Sequence, residues 1–272
     1  MIGFGGAYSN FILSLALACH QAGLACIGII RGDELADQTQ HSRNLLLQVA
    51  ERLGMTLEFV SRSEYRERHS ADTITKLRKR YPGFIVVAEG GSSIDAAQCC
   101  GELIDSEINN TEDTTHWLVA AGTGATAAGI AARMRTDQSV IAVTVTKDPA
   151  VPIRVSQWAE QIASNVSTRI QTISAVQPPA YGHLDRAHCK TINDCYECTG
   201  ILLDPVYTVR ALHTLIHSPA NELLNNEAKP TLVHTGGFSG WLGLQSEWKN
   251  WLSADVLNAI EQVHDDYLSL RF

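Results

Sequence analysis

Short apolar runs rich in β-branched residues alternate with longer amphipathic stretches from the first residue to about Val145. Short apolar runs are typical of buried strands, and longer stretches with apolar residues on one face are typical of helices. Their alternation predicts parallel strands joined by crossover helices, which is the α/β class. The predicted strands are residues 25–30, 55–61, 84–88, 117–121 and 140–146, and the helices between them begin near Asn10, Gln38, Ser63, Ser92 and Thr126.

Three stretches fall outside this alternation. Residues 1–4 look like the end of a strand that leads directly into the loop at residues 5–10. Residues 106–115 are rich in Asn, Thr and acidic side chains, so they predict a crossing between two lobes. A second irregular region is predicted at residues 177–183.

The composition narrows the class of partner. The 272 residues carry 21 Lys and Arg against 29 Asp and Glu, for a formal net charge of -8. Nucleic-acid binding needs clustered basic side chains that displace counterions from phosphates, so no nucleic-acid partner is expected. The longest apolar stretch, residues 11–30, has His20 and Gln21 at its middle, so it predicts a buried helix and strand and no membrane partner.

The seven cysteines are odd in number and irregularly spaced, which predicts reduced thiols in a cytoplasmic protein. One cluster has the residue types of a zinc site, but the second pair of ligands that a structural site needs is missing, so no metal is predicted. That cluster consists of His183, His188, Cys189, Cys195 and Cys198. His213 and His217 lie four residues apart without the glutamate of a metalloprotease motif, which predicts a packing role.

Glycine-rich turns at residues 5–10, 122–126 and 235–237 each follow a predicted strand. In the middle one, glycines let the backbone approach an anion, and the helix that follows offers free N–H groups and the positive end of its dipole. This pattern predicts a phosphate site without the lysine of a nucleotide-binding P-loop. A dinucleotide site is the alternative, with Asp148 on the ribose, although Gly122, Gly124 and Gly129 do not have its glycine spacing.

Five successive motifs resemble those of one family: FGGAYSN at 4–10, EGGSS at 89–93, GTGATAAG at 122–129, LLDPVYT at 202–208 and HTGG at 234–237. The family is the group of fold-type II pyridoxal-phosphate enzymes that contains D-cysteine desulfhydrase and 1-aminocyclopropane-1-carboxylate deaminase. The resemblance implies a two-lobed tryptophan-synthase-β-like fold of parallel sheets wrapped by helices. Its small lobe would be residues 1–109 and its large lobe residues 110–272, and the protein would be a homodimer with pyridoxal 5′-phosphate as cofactor.

The resemblance also implies roles for individual residues. Asn10 would bind the phenolic oxygen of the cofactor ring, and Ser9 would lie over the cofactor near the substrate. Tyr207 would present its phenol to the substrate as general acid or orienting donor. Thr208 and Thr235 would flank the pyridine nitrogen, where neutral hydroxyls make the ring a weaker electron sink than a carboxylate would. The cofactor phosphate would be held by Gly122, Thr123, Gly124, Ala125 and Thr126.

The residues around the predicted ring nitrogen favour one activity of this family. The deaminase pattern has glutamate after the tyrosine and leucine in place of the second threonine, whereas this chain has Tyr207-Thr208 and His234-Thr235. The resemblance therefore implies β-elimination of D-cysteine to pyruvate, sulfide and ammonia, with the deaminase reaction as the alternative.

Two positions depart from the family pattern. The Ser-Asn pair is followed by Phe11 where the family usually has histidine. The family's Schiff-base lysine lies upstream of the first motif in a Gly-Asn-Lys context, and no lysine here has that context; Lys147 is the nearest substitute. We therefore expect a chain truncated at its N-terminus, with part of the large lobe missing. Three alternatives stay open: an upstream start in a complete enzyme, an inactive relic, or a protein that binds the cofactor noncovalently.

Overall fold

The computed structural model describes residues 1–36, 44–104, 113–176, 182–217, 224, 227–243 and 246–270. By its internal contacts the chain forms two compact units. The first unit comprises Met1–Gly90, Ser239–Gly243 and Ile260–Phe272, and the second comprises Gly91–Phe238 and Leu244–Ala259. The predicted lobe boundary at residues 109 and 110 lies outside the described residues and stays a prediction.

The first unit contains a parallel sheet of three strands in the order β1-β2-β3, with helices on its connections. The strands are β1 (Ile2–Gly6), β2 (Cys26–Arg31) and β3 (Met55–Val60), and the helices are α1 (Asn10–Gln21), α2 (Leu45–Arg52), α3 (Arg62–Arg66) and α4 (Ala71–Arg80).

The second unit contains a parallel sheet of four strands in the order β6-β5-β4-β7. Its strands are β4 (His116–Ala121), β5 (Ser139–Thr144), β6 (Ile170–Ser174) and β7 (Pro230–Leu232). Its helices are α5 (Ile94–Cys100), α6 (Ala125–Arg133), α7 (Val151–Ile162), α8 (Arg186–Thr199) and α9 (Thr208–His217), and α10 (Ala254–Ser269) contributes residues to both units.

The α/β class is confirmed, and four of the five predicted strands occur as β2, β3, β4 and β5. The predicted strand at residues 84–88 is wrong. Only Val86 pairs there, as a single bridge to Ile2, because the chain leaves the sheet edge on both sides and Ile85 faces solvent. The helix predicted near Gln38 begins outside the described residues, and α2 starts at Leu45.

Both sheets are parallel, so within each unit the carboxyl ends of the strands meet at one edge, where ligands bind in open α/β sheets. In the first unit β1 ends at that edge and leads into the loop before α1, whose N-cap is Ser9. In the second unit β4 ends at the corresponding edge and leads through Gly122 into α6. Within the described ranges, no helix combines the length and the apolar character needed to cross a membrane.

Candidate functional site

The loop after β1 is held by hydrogen bonds to its own backbone and to α2. The N–H group of Ser9 donates to the carbonyl oxygen of Gly6 at 3.1 Å, which closes the turn. The side chain of Asn44 caps α2 through its oxygen and donates from Nδ2 to the carbonyl oxygen of Ala7 at 3.0 Å. The loop that carries Ser9 is therefore fixed by the start of a neighbouring helix.

The short segment Ser239–Gly243 packs on the same loop from far along the chain. Ser239 is buried, and its hydroxyl donates to Oδ1 of Asn10. At the other end of the segment, a Cβ placed on Gly243 would lie 3.2 Å from the ring of Tyr8. The segment thus contacts the loop at two points, of which one is the predicted cofactor residue Asn10.

In the second unit, two side chains hold the loop between β4 and α6 by its carbonyl groups. The Thr146 hydroxyl donates to the carbonyl oxygen of Gly122 at 3.3 Å, and Nε of Arg154 donates to that of Thr123 at 3.1 Å. In a trans peptide the C=O and N–H groups point in opposite directions. Anchoring the Thr123 carbonyl on one side therefore turns the N–H group of Gly124 to the other.

Gly124 lies at the junction of this loop and α6. Its φ of 98° is in the left-handed region, and a Cβ there would lie 2.8 Å from Cγ2 of Val155. No side chain in the described part of the chain caps α6, and its first turn has no acidic residue. The uncapped N–H groups and the positive end of the helix dipole fit an anionic group, and the cradle fits a phosphate.

The guanidinium that holds Thr123 is itself oriented by a carboxylate. Nη2 of Arg154 pairs with Oδ2 of Asp148 at 2.7 Å, and Oδ1 of Asp148 accepts from the N–H group of Ala150 at 3.0 Å. The hydrogen bond from Ala150 and the ion pair with Arg154 hold the pKa of Asp148 below its ordinary value. Asp148, the residue that the dinucleotide alternative assigned to the ribose, is thus paired with Arg154, which holds the loop.

Tyr207 lies against residues 122–126, the loop predicted to bind the phosphate and called the phosphate loop below, in a turn built by one buried carboxylate. A Cβ on Gly122 would lie 3.0 Å from Cε1 of Tyr207, so a larger residue there would push against the tyrosine ring. Oδ1 of Asp204 accepts from the N–H groups of Val206 at 2.9 Å and Tyr207 at 2.7 Å. Its Oδ2 accepts from the N–H group of Thr208 at 2.7 Å and also from the Thr208 hydroxyl. The Asp204 carboxylate therefore fixes the backbone that carries the Tyr207 phenol.

The two predicted neighbours of the pyridine nitrogen have different surroundings. Thr208 is fully buried, and its hydroxyl donates to Asp204 and accepts from the Asp204 N–H group at 3.0 Å. Contact of this hydroxyl with a cofactor would require exchange of one of these partners. Thr235 is exposed and follows His234, whose ring bonds the carbonyl oxygen of Leu202 at 3.0 Å. Their roles at the ring nitrogen stay predictions.

The predicted site residues divide between the two units. Ser9 and Asn10 lie in the first, at the start of α1. Within the second unit, Tyr207 lies against the phosphate loop. His234, after β7, is hydrogen-bonded to the carbonyl oxygen of Leu202. Sequence reasoning missed the anchors Thr146, Arg154 and Ser239, and also Asp204. Of these four, only Asp204 carries a local sequence signal, because an aspartate just before a helix often accepts hydrogen bonds from the first N–H groups. Lys147 is exposed in the loop after β5.

The histidines of α8 and α9 form a row of three neighbouring, tilted rings. The ring centroids of His188 and His213 are 4.4 Å apart, as are those of His213 and His217. Nδ1 of His213 is 2.8 Å from the Thr191 hydroxyl, and Nδ1 of His188 is 2.7 Å from the Asp185 carboxylate. Burial and the neighbouring imidazoles lower the pKa of His213 to about 4. Within the described ranges, no three His, Cys, Asp or Glu side chains are arranged to hold a metal ion.

The family pattern described as "Pyridoxal-phosphate dependent enzyme" matches residues 5–236 of this sequence. The chain belongs to the family of pyridoxal-phosphate-dependent enzymes. Its match includes the loop after β1, the phosphate loop and the turn with Tyr207. Pyridoxal phosphate is the cofactor of this family. The match therefore confirms the family and the cofactor expected from the motifs, and the dinucleotide alternative is dropped.

Curated relatives of this pyridoxal-phosphate family member include D-cysteine desulfhydrases from Salmonella paratyphi B and Salmonella choleraesuis. Each is 24% identical over 259 residues, which covers 87% of this chain and 76% of the relative. Among solved structures, an ACC deaminase homologue matches with a TM-score of 0.74 at 22% identity, covering 92% of this chain and 78% of the other. A pyridoxal 5′-phosphate-dependent aspartate racemase matches with a TM-score of 0.60 at 12% identity, covering 90% and 74%. The structural likeness confirms the fold.

Proposed function

We propose that this protein binds pyridoxal 5′-phosphate and catalyses β-elimination on a small amino acid, with D-cysteine as substrate and pyruvate, sulfide and ammonia as products. The observation that carries the proposal is the phosphate cradle at the start of α6. The carbonyl groups of Gly122 and Thr123 are anchored away from it, and the Tyr207 ring lies against Gly122. In this proposal a phosphorylated ligand in the cradle lies beside a phenol that can donate a proton.

In this proposal separate loops of the chain supply the cofactor contacts. The loop from Gly122 to Thr126 holds the phosphate through backbone N–H groups and the threonine hydroxyls. Asn10 hydrogen-bonds the phenolic oxygen of the ring, and Thr208 and Thr235 are the candidate neighbours of its nitrogen. When bound, the cofactor supplies an electron sink that stabilises negative charge at the substrate α-carbon.

Two side chains of the chain itself act on the substrate. Ser9 ends the loop held by Asn44 and lies near the α-carbon and carboxylate of the substrate. Tyr207 donates a proton or an orienting hydrogen bond to the substrate from the turn that Asp204 fixes. Because Asp204 bonds the Tyr207 N–H group directly, the backbone from which the phenol extends is held in place.

Two features support D-cysteine. Thr208 and Thr235 match the desulfhydrase pattern, and the curated relatives named above are D-cysteine desulfhydrases. The deaminase reaction is the second candidate, since the structure with a TM-score of 0.74 is an ACC deaminase homologue. Noncovalent binding without turnover is the third, because no lysine in these 272 residues follows a Gly-Asn pair. We further propose a homodimer in the cytoplasm.

The test uses the purified 272-residue chain saturated with pyridoxal 5′-phosphate. Sulfide and pyruvate are measured with D-cysteine and L-cysteine, and ammonia with 1-aminocyclopropane-1-carboxylate. We expect sulfide and pyruvate in equal amounts from D-cysteine, and a loss of about 100-fold or more in Tyr207→Phe. Tyr196→Phe, on α8 in the same unit, is the matched control and keeps full activity.

Each alternative has its own outcome. Ammonia from the cyclopropane substrate without sulfide from D-cysteine would identify a deaminase. Saturable cofactor binding without any turnover would identify a noncovalent binder, whose thermal stability would rise with cofactor concentration. Failure of the protein to bind the cofactor at all would contradict the proposal.

A further inference from the structure

The side chain of Asn10 is held by a residue 229 positions away in the sequence. The Ser239 hydroxyl donates to Oδ1 of Asn10, so the amide oxygen faces Ser239. In the described part of the chain, Nδ2 of Asn10 has no hydrogen-bond acceptor. Its N–H groups are therefore available to a ligand, and the Ser239 hydrogen bond decides which end of the amide is presented.

The C-terminal helix also reaches Ser239. The Tyr267 phenol, on α10, lies close enough to the Ser239 side chain for the two hydroxyl groups to interact. Burial raises the pKa of Tyr267 and outweighs the smaller lowering caused by Ser239, so the phenol keeps its proton at neutral pH.

The end of α10 is fixed by a separate contact. Arg52, at the end of α2, donates from Nη1 to the carbonyl oxygen of Leu268 at 3.1 Å and from Nη2 to that of Tyr267 at 2.9 Å. A cation at this position satisfies carbonyl groups that the last helical turn leaves open. Tyr267 also packs against an apolar cluster to which α1 and α2 contribute. The phenol beside Ser239 is therefore anchored through its backbone and its ring.

We infer that Ser239, supported by Tyr267, is a positioning residue that locks the amide of Asn10 with Nδ2 toward an anionic ring oxygen. The inference rests on the proposed function, in which Asn10 meets the phenolic oxygen of the cofactor. An amide turned the other way would place its oxygen against that anion, which repels it. The Ser239 hydroxyl, which donates to Oδ1, favours the orientation with Nδ2 toward the ligand.

The experiment uses pyridoxine 5′-phosphate, which carries the same ring oxygen and phosphate but forms no covalent bond with a lysine. Its dissociation constant is measured for the wild type, Ser239→Ala and Tyr267→Phe. The ionisation of the ring hydroxyl of the bound pyridoxine phosphate is followed by absorbance. Inorganic phosphate, measured by thermal shift, reports the cradle at α6 alone. Tyr81→Phe is the matched control, because it also removes the hydrogen bond of a phenol in the first unit, to Glu58.

We expect Ser239→Ala to weaken pyridoxine phosphate binding about 3- to 10-fold, which is the effect of one hydrogen bond. The same substitution should raise the pKa of the ring hydroxyl of bound pyridoxine phosphate and leave the binding of inorganic phosphate unchanged. Tyr267→Phe should act in the same direction with a smaller effect, and Tyr81→Phe should have none. The Tyr267 variant keeps the inference testable if Ser239→Ala does not fold.

The failures are distinguishable. If the wild type binds pyridoxine phosphate and both variants bind it equally with an unchanged phenol pKa, the inference is wrong and the proposed function stands. If the variants lose phosphate and ring binding alike, the effect is general damage and the positioning role is wrong. A wild type that binds neither probe would overturn the proposed function and the inference together.

Discussion

Nε of Arg154 donates to the carbonyl oxygen of Thr123 at 3.1 Å, so a residue of α7 sets the conformation of the loop before α6. We expect Arg154→Met to weaken binding of pyridoxal 5′-phosphate about 10-fold, because a charge-assisted hydrogen bond is lost. Binding of pyridoxal, which has no phosphate, should change less than about 2-fold, since it does not use the phosphate loop. Both constants are measured by absorbance titration, with exposed Arg186→Met as control. Equal weakening of both ligands would show that Arg154 does not act on the phosphate loop.

Gly124 combines a left-handed φ with a close approach to Val155. We expect Gly124→Ala to destabilise the protein by about 2–4 kcal/mol, the sum of the conformational cost and the crowding against Val155. Gly200 has a positive φ of 68°, and a Cβ added there would have nothing within 4 Å, so Gly200→Ala isolates the conformational cost. The free energy of unfolding in urea compares them. Equal losses would mean that contact with Val155 contributes nothing.

Asp204 accepts four hydrogen bonds from the turn that carries Tyr207. Asp204→Asn replaces one acceptor oxygen by an NH₂ group that faces N–H donors, so we expect a loss of about 2–4 kcal/mol in unfolding free energy. Activity should fall further than folding alone explains, since Tyr207 shifts. Asp194→Asn, at an exposed ion pair with Lys190, is the control and should cost under about 1 kcal/mol. Full stability in the Asp204 variant would contradict this role.

The pKa of His213 is lowered to about 4 by burial and by the imidazoles of His188 and His217, while the nearby Asp185 carboxylate opposes the shift. The folded state therefore favours neutral His213, whereas the unfolded chain takes up a proton near pH 6.5. Stability from this group is complete above about pH 6.5 and is lost as the pH falls toward 4, by about 3 kcal/mol.

The check is the unfolding free energy of His213→Gln and the wild type between pH 7 and pH 4. The variant should lose less stability over this range, because its side chain does not titrate. His264→Gln, on the exposed side of α10, should follow the wild type. Parallel curves for the wild type and the His213 variant would show that another group controls the loss of stability at low pH.

The sequence predicted what depends on neighbours along the chain. Residues 117–121 are all apolar and residues 140–146 are apolar except for Thr144 and Thr146. Both occur as central strands, because a buried strand needs apolar residues on both faces. Strands β6 and β7 were missed because β6 is half-exposed and β7 has only three residues. Their pairing depends on strands that are already formed, which no local pattern shows.

The candidate site divides in the same way. Gly122, Gly124 and the start of α6 were predicted from glycine and threonine chemistry within a few residues. Arg154 and Ser239 were not, because their partners Thr123 and Asn10 lie 31 and 229 positions away. Only the folded backbone brings such pairs together.

The position of Ser239–Gly243 and Ile260–Phe272 in the first unit has a consequence during protein synthesis. A ribosome makes the strand β1 and Asn10 long before it makes Ser239 and Tyr267. Until those later residues emerge, the amide of Asn10 has neither its donor nor the helix that supports it. The Asn10 side chain therefore cannot gain its hydrogen bond before Ser239 has left the ribosome, and the first unit is completed only when the end of α10 follows.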